Sequence, residues 1–284
     1  MILFEDRAAT VLYKVLTKIK NKKFLLPLNV CPIVPDTLIK AGKEFEFCDI
    51  ELDTLCMDSS LIFDKIKEDE SIDGLLFVKT FGVEVNTQPL YQKVKSMKND
   101  LFIIDDMCPS IQRFDYDIEN SYADMALFSS GYSKYVDIGF GGYGFVKERE
   151  FRDIFENQTD TDEFIAYKRE IEENIKLMRV HKKSLNDIYK EIIDPKYYLG
   201  DKWNNWRFSL MVENKGEILE EIFKVDGLFA SSHYPQVDYE YVKSAQKNSN
   251  TKKIHDKILN LFNDFRYDKE KAIQTANIVN KVIK

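Results

Sequence analysis

The chain has 284 residues, 44% hydrophobic and 31% charged, which suffices for an ordinary soluble core in one large domain or in a large and a small one. Its formal net charge of −7 argues against nucleic acid as a main partner, and no apolar run approaches the length of a membrane span. Cys31, Cys48, Cys56 and Cys108 show no C-x-x-C spacing and no export signal opens the chain, so they read as reduced thiols of a cytoplasmic protein; His181, His233 and His255 are too scattered to suggest a metal site.

Residues 7–20 (RAATVLYKVLTKIK) carry apolar residues at helical spacing, with Glu5 and Asp6 placed to cap that helix and complement its dipole. Residues 24–28 read as a strand, 35–42 as a helix and 44–48 as a strand. The pattern repeats with helix 58–68, strand 73–79, helix 88–97 and strand 101–105, and the short apolar runs 125–128 and 143–146 read as buried strands. Strands alternating with helices predict an α/β layer with a mainly parallel sheet, in which ligands sit beyond the carboxyl ends of the strands. Thr80-Phe81-Gly82, Asp105-Asp106 and Ser129 fall at such ends. After residue 146 the pattern changes: 160–192 predicts one or two connecting helices, followed by strand 206–212, helix 215–224, the segment 226–235 and closing helices 251–263 and 268–283. The expected organisation is a large domain over 1–155, then a connecting helix and a smaller α/β domain over 156–284.

The stretch from Ser129 to Gly142 (SSGYSKYVDIGFGG) is the expected seat of chemistry. Its lysine, Lys134, lies between two predicted strands, where an ammonium is costly to bury. A neutral amine, or one engaged in a Schiff base, lowers that cost. A surface hairpin with a solvated lysine fits the same stretch.

Three pieces together resemble the DegT/StrS-type sugar aminotransferases, pyridoxal-phosphate enzymes of fold type I. Asp105-Asp106-Met107-Cys108-Pro109 is similar to that family's E-D-x-A-Q, the run Ser129 to Lys134 to its S-F-x-x-x-K, and Gly139-Phe140-Gly141-Gly142 to its G-E-G-G. Lys134 follows Asp106 by 28 positions and Gly139 follows Lys134 by five, both as in the family. Leu26-Pro27 to Gly42, Val78 to Gly82, Ser232-His233-Tyr234-Pro235 and Ile258 to Leu261 resemble further family segments more loosely.

The resemblance implies a large domain with a mixed, mainly parallel sheet, a smaller C-terminal α/β domain, pyridoxal 5′-phosphate as cofactor, and a homodimer. It implies transfer of an amino group from glutamate or glutamine to a nucleotide-linked keto sugar in polysaccharide biosynthesis. Lys134 would hold the cofactor and move the proton, and Asp106 would pair with the pyridine nitrogen. Ser129 and the helix start at Asp6-Arg7-Ala8 would take the phosphate. Cys31 would stand where the family stacks an aromatic ring on the cofactor, and His233 and Tyr234 would face substrate. The departures are Glu5-Asp6-Arg7 in place of Ser-Gly-Thr, Pro109 in place of the Gln or His that reaches the phenolic oxygen, Cys31 itself, and Phe140 in place of Glu. They leave an alternative open: an impaired relative that serves as a binding or dimerisation module.

Overall fold

The computed structural model describes residues 1–203 and 206–284. In chain order the elements are β1 (Ile2–Glu5), α1 (Ala8–Leu16), β2 (Lys23–Pro27), α2 (Ile33–Lys40), β3 (Glu44–Cys48), α3 (Ser59–Glu68), β4 (Ile72–Val78), α4 (Gln88–Met97), β5 (Phe102–Asp106), β6 (Met125–Ser129) and β7 (Gly142–Val146). Then follow α5 (Glu148–Phe151), α6 (Asp162–Ile192), β8 (Phe208–Met211), α7 (Lys215–Phe223), β9 (Ala230–Ser231), α8 (Asp238–Tyr241), α9 (Asn250–Lys257), β10 (Ile258–Leu261) and α10 (Lys269–Val282).

The first seven strands form one sheet in the order β1-β7-β6-β5-β4-β2-β3. From β3 to β6 all pairs are parallel, and only β7 runs against both of its neighbours. The sheet is mixed and mainly parallel, as expected, and its inner strands β5, β6 and β7 are buried at every residue. That is the pattern of strands covered on both faces. Val11, Leu12, Val15 and Leu16 of α1 lie on one face with Val34 and Leu38 of α2. The other face packs against Tyr91 and Val94 of α4 and against Phe164, Tyr167 and Ile171 of α6.

A second sheet, β8-β10-β9, is antiparallel throughout and has its own core with α7 and α10. The two cores are bridged by α6, whose 31 residues carry Phe164 and Tyr167 into the first and Leu185 and Tyr189 into the second. Its start is capped by the Thr161 hydroxyl, which accepts from the Phe164 amide at 3.3 Å. Among the described residues no helix is long and apolar enough to cross a membrane.

Three local expectations are corrected. The helix expected over 251–263 ends at Lys257, and Ile258 to Leu261 form the central strand of the second sheet, buried at all four positions. A short run buried on both faces has no period to separate strand from helix. Helix α1 stops at Leu16 rather than residue 20, where the amides of Lys18 and Ile19 both turn back onto the Val15 carbonyl. Glu5 and Asp6 do not cap α1: its N-cap is Arg7 with no side-chain cap, and Glu5 closes β1 and pairs with Lys14.

Candidate functional site

A cavity of about 180 Å³ opens beyond the carboxyl ends of β2, β4, β5 and β6, on the side covered by α1 and α2. Ser129, Asp106 and Val78 line it from three neighbouring strands. Arg7, Ala8 and Ala9 reach it from the start of α1, and Asn29 and Cys31 from the turn after β2. Lys134 and Tyr132 enter from the loop between β6 and β7, and Tyr234 from the chain after β9. Lys134, Asp106, Ser129, Arg7, Ala8, Cys31 and Tyr234 are thus brought together; Asp6 and His233 are not among the lining residues.

The loop carrying Lys134 is held from several directions. Gln112, buried behind it, donates to the carbonyls of Ser129 (2.6 Å) and Val136 (3.1 Å). Ser130 bonds the Tyr167 hydroxyl of α6 at 2.7 Å. Ser133 stands at φ 64°, in the left-handed region, which costs a non-glycine residue about 1–3 kcal/mol and persists only where its surroundings hold it. Its surroundings do: its amide donates to Asp137 Oδ2 at 2.8 Å, its carbonyl accepts from Trp206 Nε1 at 2.5 Å, and its hydroxyl accepts from Arg207 at 2.6 Å. A strained, fixed residue therefore immediately precedes Lys134.

The half-buried Lys134 is held above its ordinary value. Burial works to lower it, but Tyr234, Cys108, Asp106 and Cys31 around it together outweigh burial. The carboxyl of Asp106 is pushed up, chiefly by burial, while the Cys108 amide at 2.9 Å and the nearby Lys134 charge pull it down. A carboxylate in that setting gains from a cationic partner in the cavity.

Asp105 points to the opposite face of the sheet, as adjacent strand residues must. There it is fully buried, accepts from Tyr91 (2.9 Å) and Tyr116 (3.2 Å), and pairs with Lys79 at 3.4 Å. It lines a separate groove on that face.

Two glycines decide how close α1 comes. A Cβ on Gly142 would lie 2.0 Å from the Ala8 amide nitrogen, so only glycine lets β7 pass under the start of the helix. Gly141, at φ 92°, donates to the Asp6 carbonyl at 2.6 Å and leaves no room for a side chain beside Tyr167 and Ser130. The first amides of α1, which lack intrahelical acceptors, are thereby set at the cavity wall beside Ser129. The two acidic residues ahead of α1 do not oppose an anion there: Glu5 is engaged by Lys14, and Asp6 lies outside the lining.

No family model matches the chain, and no curated protein matches it in sequence. Solved structures do match it. PseC of Helicobacter pylori, an aminotransferase involved in the biosynthesis of pseudoaminic acid, superposes with a TM-score of 0.79 at 16% identity, over 99% of this chain and 86% of that one. DesI, solved in the presence of its TDP-sugar product, gives 0.81 at 14% identity over 99% and 80%. NtdA from Bacillus subtilis, solved with bound cofactor PMP, gives 0.73 at 16% identity over 99% and 73%. The fold is that of the sugar aminotransferases.

Within this aminotransferase fold, four residues at the site went unmarked in the sequence. Gln112, Trp206 and Arg207 position the Lys134 loop, and Asn29 lines the cavity itself. The first three carry no local signal. Asn29 stands just past the carboxyl end of a parallel strand, the place where such sheets bind ligands.

Proposed function

We propose that this chain is a pyridoxal-phosphate-dependent aminotransferase that acts on a nucleotide-linked keto sugar, with glutamate or glutamine as amino donor. The observation that carries the reading is the convergence of Lys134 and Asp106 on one cavity that also holds the start of α1 and Ser129. The fit to the cofactor rests on the bare Cα of Gly142, which brings the α1 amides to the wall, and on the buried Asp106 carboxyl that lines the same cavity. Pyridoxal phosphate, when bound, supplies a carbonyl carbon for covalent attachment and a ring that takes up negative charge. Lys134 Nζ is the amine for that attachment and the group that moves the substrate proton. Asp106 keeps the ring nitrogen protonated. The Ala8 and Ala9 amides, the Ser129 hydroxyl and the exposed Arg7 guanidinium take the phosphate.

The substrate class is carried over from the structural likeness to PseC and to DesI with its TDP-sugar product. Tyr234 and the exposed Tyr132 stand at the cavity wall where substrate would enter, with His233 behind Tyr234. A homodimer, a cytoplasmic location, a role in polysaccharide biosynthesis and a domain division near residue 155 belong to the same proposal.

The test is to add pyridoxal phosphate to the purified chain, reduce with borohydride and map the labelled peptide. The label is expected on Lys134 and absent from Lys134→Ala. A label elsewhere, or none at saturating cofactor, overturns the reading.

A further inference from the structure

Arg266 stands between β10 and α10, beside the second sheet, and meets the Lys134 loop from outside the cavity. Its guanidinium is first anchored on its own side. Nε donates to Asp264 Oδ1 at 2.8 Å and Nη2 to Asp264 Oδ2. Asp264 is 5% exposed, and its carbonyl lies 3.1 Å from His181 Nε2 on α6. Burial works to raise the Asp264 carboxyl, but the Arg266 guanidinium beside it outweighs burial and holds it below its ordinary value. A two-pronged grip of this kind fixes the plane of the guanidinium.

From that anchor the guanidinium reaches both sides of Lys134. Its carbon lies over the Tyr132 ring, 4.8 Å from the centroid. Nη2 donates to the Ser133 hydroxyl at 3.4 Å, and Nη1 stands at ion-pair distance, 3.7 Å, from Asp137 Oδ2. Tyr132 and Ser133 immediately precede Lys134, and Asp137 follows it by three positions. Asp137 in turn closes the loop on itself: Oδ2 accepts from the Ser133 amide at 2.8 Å and Oδ1 from the Gly139 amide at 3.0 Å. One cation from a distant part of the chain thus touches the carboxylate that ties the loop and the left-handed residue that precedes the lysine.

Attachment of an aldehyde joins the deprotonated Lys134 nitrogen to the carbonyl carbon and expels water. Its rate depends on holding that nitrogen at the carbon, and a misplacement of about 1 Å can cost about a hundred-fold. We infer that Arg266 is a positioning residue for Lys134: it fixes the loop before and after the lysine, so that the amine meets the carbonyl carbon of the cofactor. The inference rests on the pyridoxal phosphate reading above. It demands a split between two measurements, because Arg266 is not among the residues that line the cavity. Without it the cofactor still finds its site, and the attachment slows.

The test compares the wild-type chain with Arg266→Gln. Attachment is followed by mixing with saturating pyridoxal 5′-phosphate, quenching with borohydride at set times and measuring the label on Lys134 by peptide mass. Binding without attachment is measured calorimetrically with 4-deoxypyridoxine 5′-phosphate, which has no aldehyde. Arg266→Gln is expected to acquire the label at least about ten-fold more slowly and to bind the probe as tightly as the wild type. Where Arg266→Gln does not fold, Arg266→Lys replaces it with the same expectation, since a single nitrogen cannot grip Asp264 and span Ser133 and Asp137 together. A variant labelled as fast as the wild type overturns the inference. So does a variant whose affinity for the probe falls as far as its labelling rate, since the cavity as a whole is then disturbed. A wild type that never acquires the label on Lys134 overturns the cofactor reading and the inference with it.

Discussion

Trp206 Nε1 donates to the Ser133 carbonyl at 2.5 Å, so a residue next to the second sheet holds the residue that precedes Lys134. The same indole stacks on Tyr234 with centroids 5.6 Å apart, and Tyr234 lines the cavity. Trp206→Phe keeps most of the ring and removes the donor. Ser133, at φ 64°, is then held by its amide and hydroxyl but no longer by its carbonyl. The expected loss is about 1–3 kcal/mol in stability from the orphaned carbonyl. Weaker uptake of pyridoxal phosphate should accompany it, read as a right-shifted titration; an unchanged titration would remove Trp206 from the positioning of Lys134.

The adjacent carboxylates Asp105 and Asp106 should fail in different ways. Asp106→Asn is expected to fold with near-native stability and to lose most cofactor-dependent activity. Asp105→Ala leaves the Lys79 ammonium and the Tyr91 and Tyr116 hydroxyls without their shared acceptor. Removing one partner from a buried charged network costs about 3–5 kcal/mol, which denaturant titration would read directly. If Asp105→Ala unfolds no more readily than Asp106→Asn, the assignment of the two residues to opposite faces is wrong.

Gly142→Ala tests how α1 is seated. The added methyl would sit 2.0 Å from the Ala8 nitrogen, against backbone that has no rotamer to yield. The helix start must move away from Ser129, at an expected cost of about 1–3 kcal/mol from overpacking. Phosphate-bearing ligands should lose affinity more than pyridoxal itself, which carries no phosphate. Equal losses for both would place the anion site elsewhere.

Lys182 of α6 gives a pH dependence. It is 3% exposed, donates to the Trp206 carbonyl and Asn263 Oδ1, both at 2.7 Å, and burial pulls its ammonium down to about 7 from 10.5. Between these two values the unfolded chain holds a proton that the folded chain has released, so this residue makes stability rise with pH across that window. Below about 7 the burial penalty is fully present. Lys182→Met should flatten the slope, measured as the difference in denaturant midpoint between wild type and variant near neutrality and at about pH 10. Parallel profiles for the two chains would show that Lys182 is charged in both states.

Much of the site is legible in the sequence because it follows the sheet. Asp106 and Ser129 end strands whose apolar runs are continuous, and parallel α/β sheets place ligands there. Lys134 stands out through its spacing from Asp106 and from Gly139, which resembles that of the DegT/StrS-type family. Asn29 is harder to read, since asparagine after a strand is also an ordinary turn residue, and what distinguishes it is an oxygen that is unpaired among the described residues, which only the packing against Leu55 reveals. Trp206 and Arg207 reach Ser133 across 73 and 74 residues, and no periodicity marks a contact of that span. Strand β10 was hidden for a different reason: buried on both faces and joined directly to a helix, it offers neither alternation nor a turn signal.

The pairing of β1 with β7 sets an order of assembly. Ile2 to Glu5 find their partners only at Gly142 to Phe145, so β1 waits for most of the large sheet to follow it. The start of α1 is placed only when that pair closes over Gly142, and Tyr234 reaches the same cavity later still. Contacts this distant in sequence form slowly. The cavity is therefore among the last parts of the molecule to mature, and a nascent chain can hold a well-formed β2–β5 layer while still unable to retain a ligand.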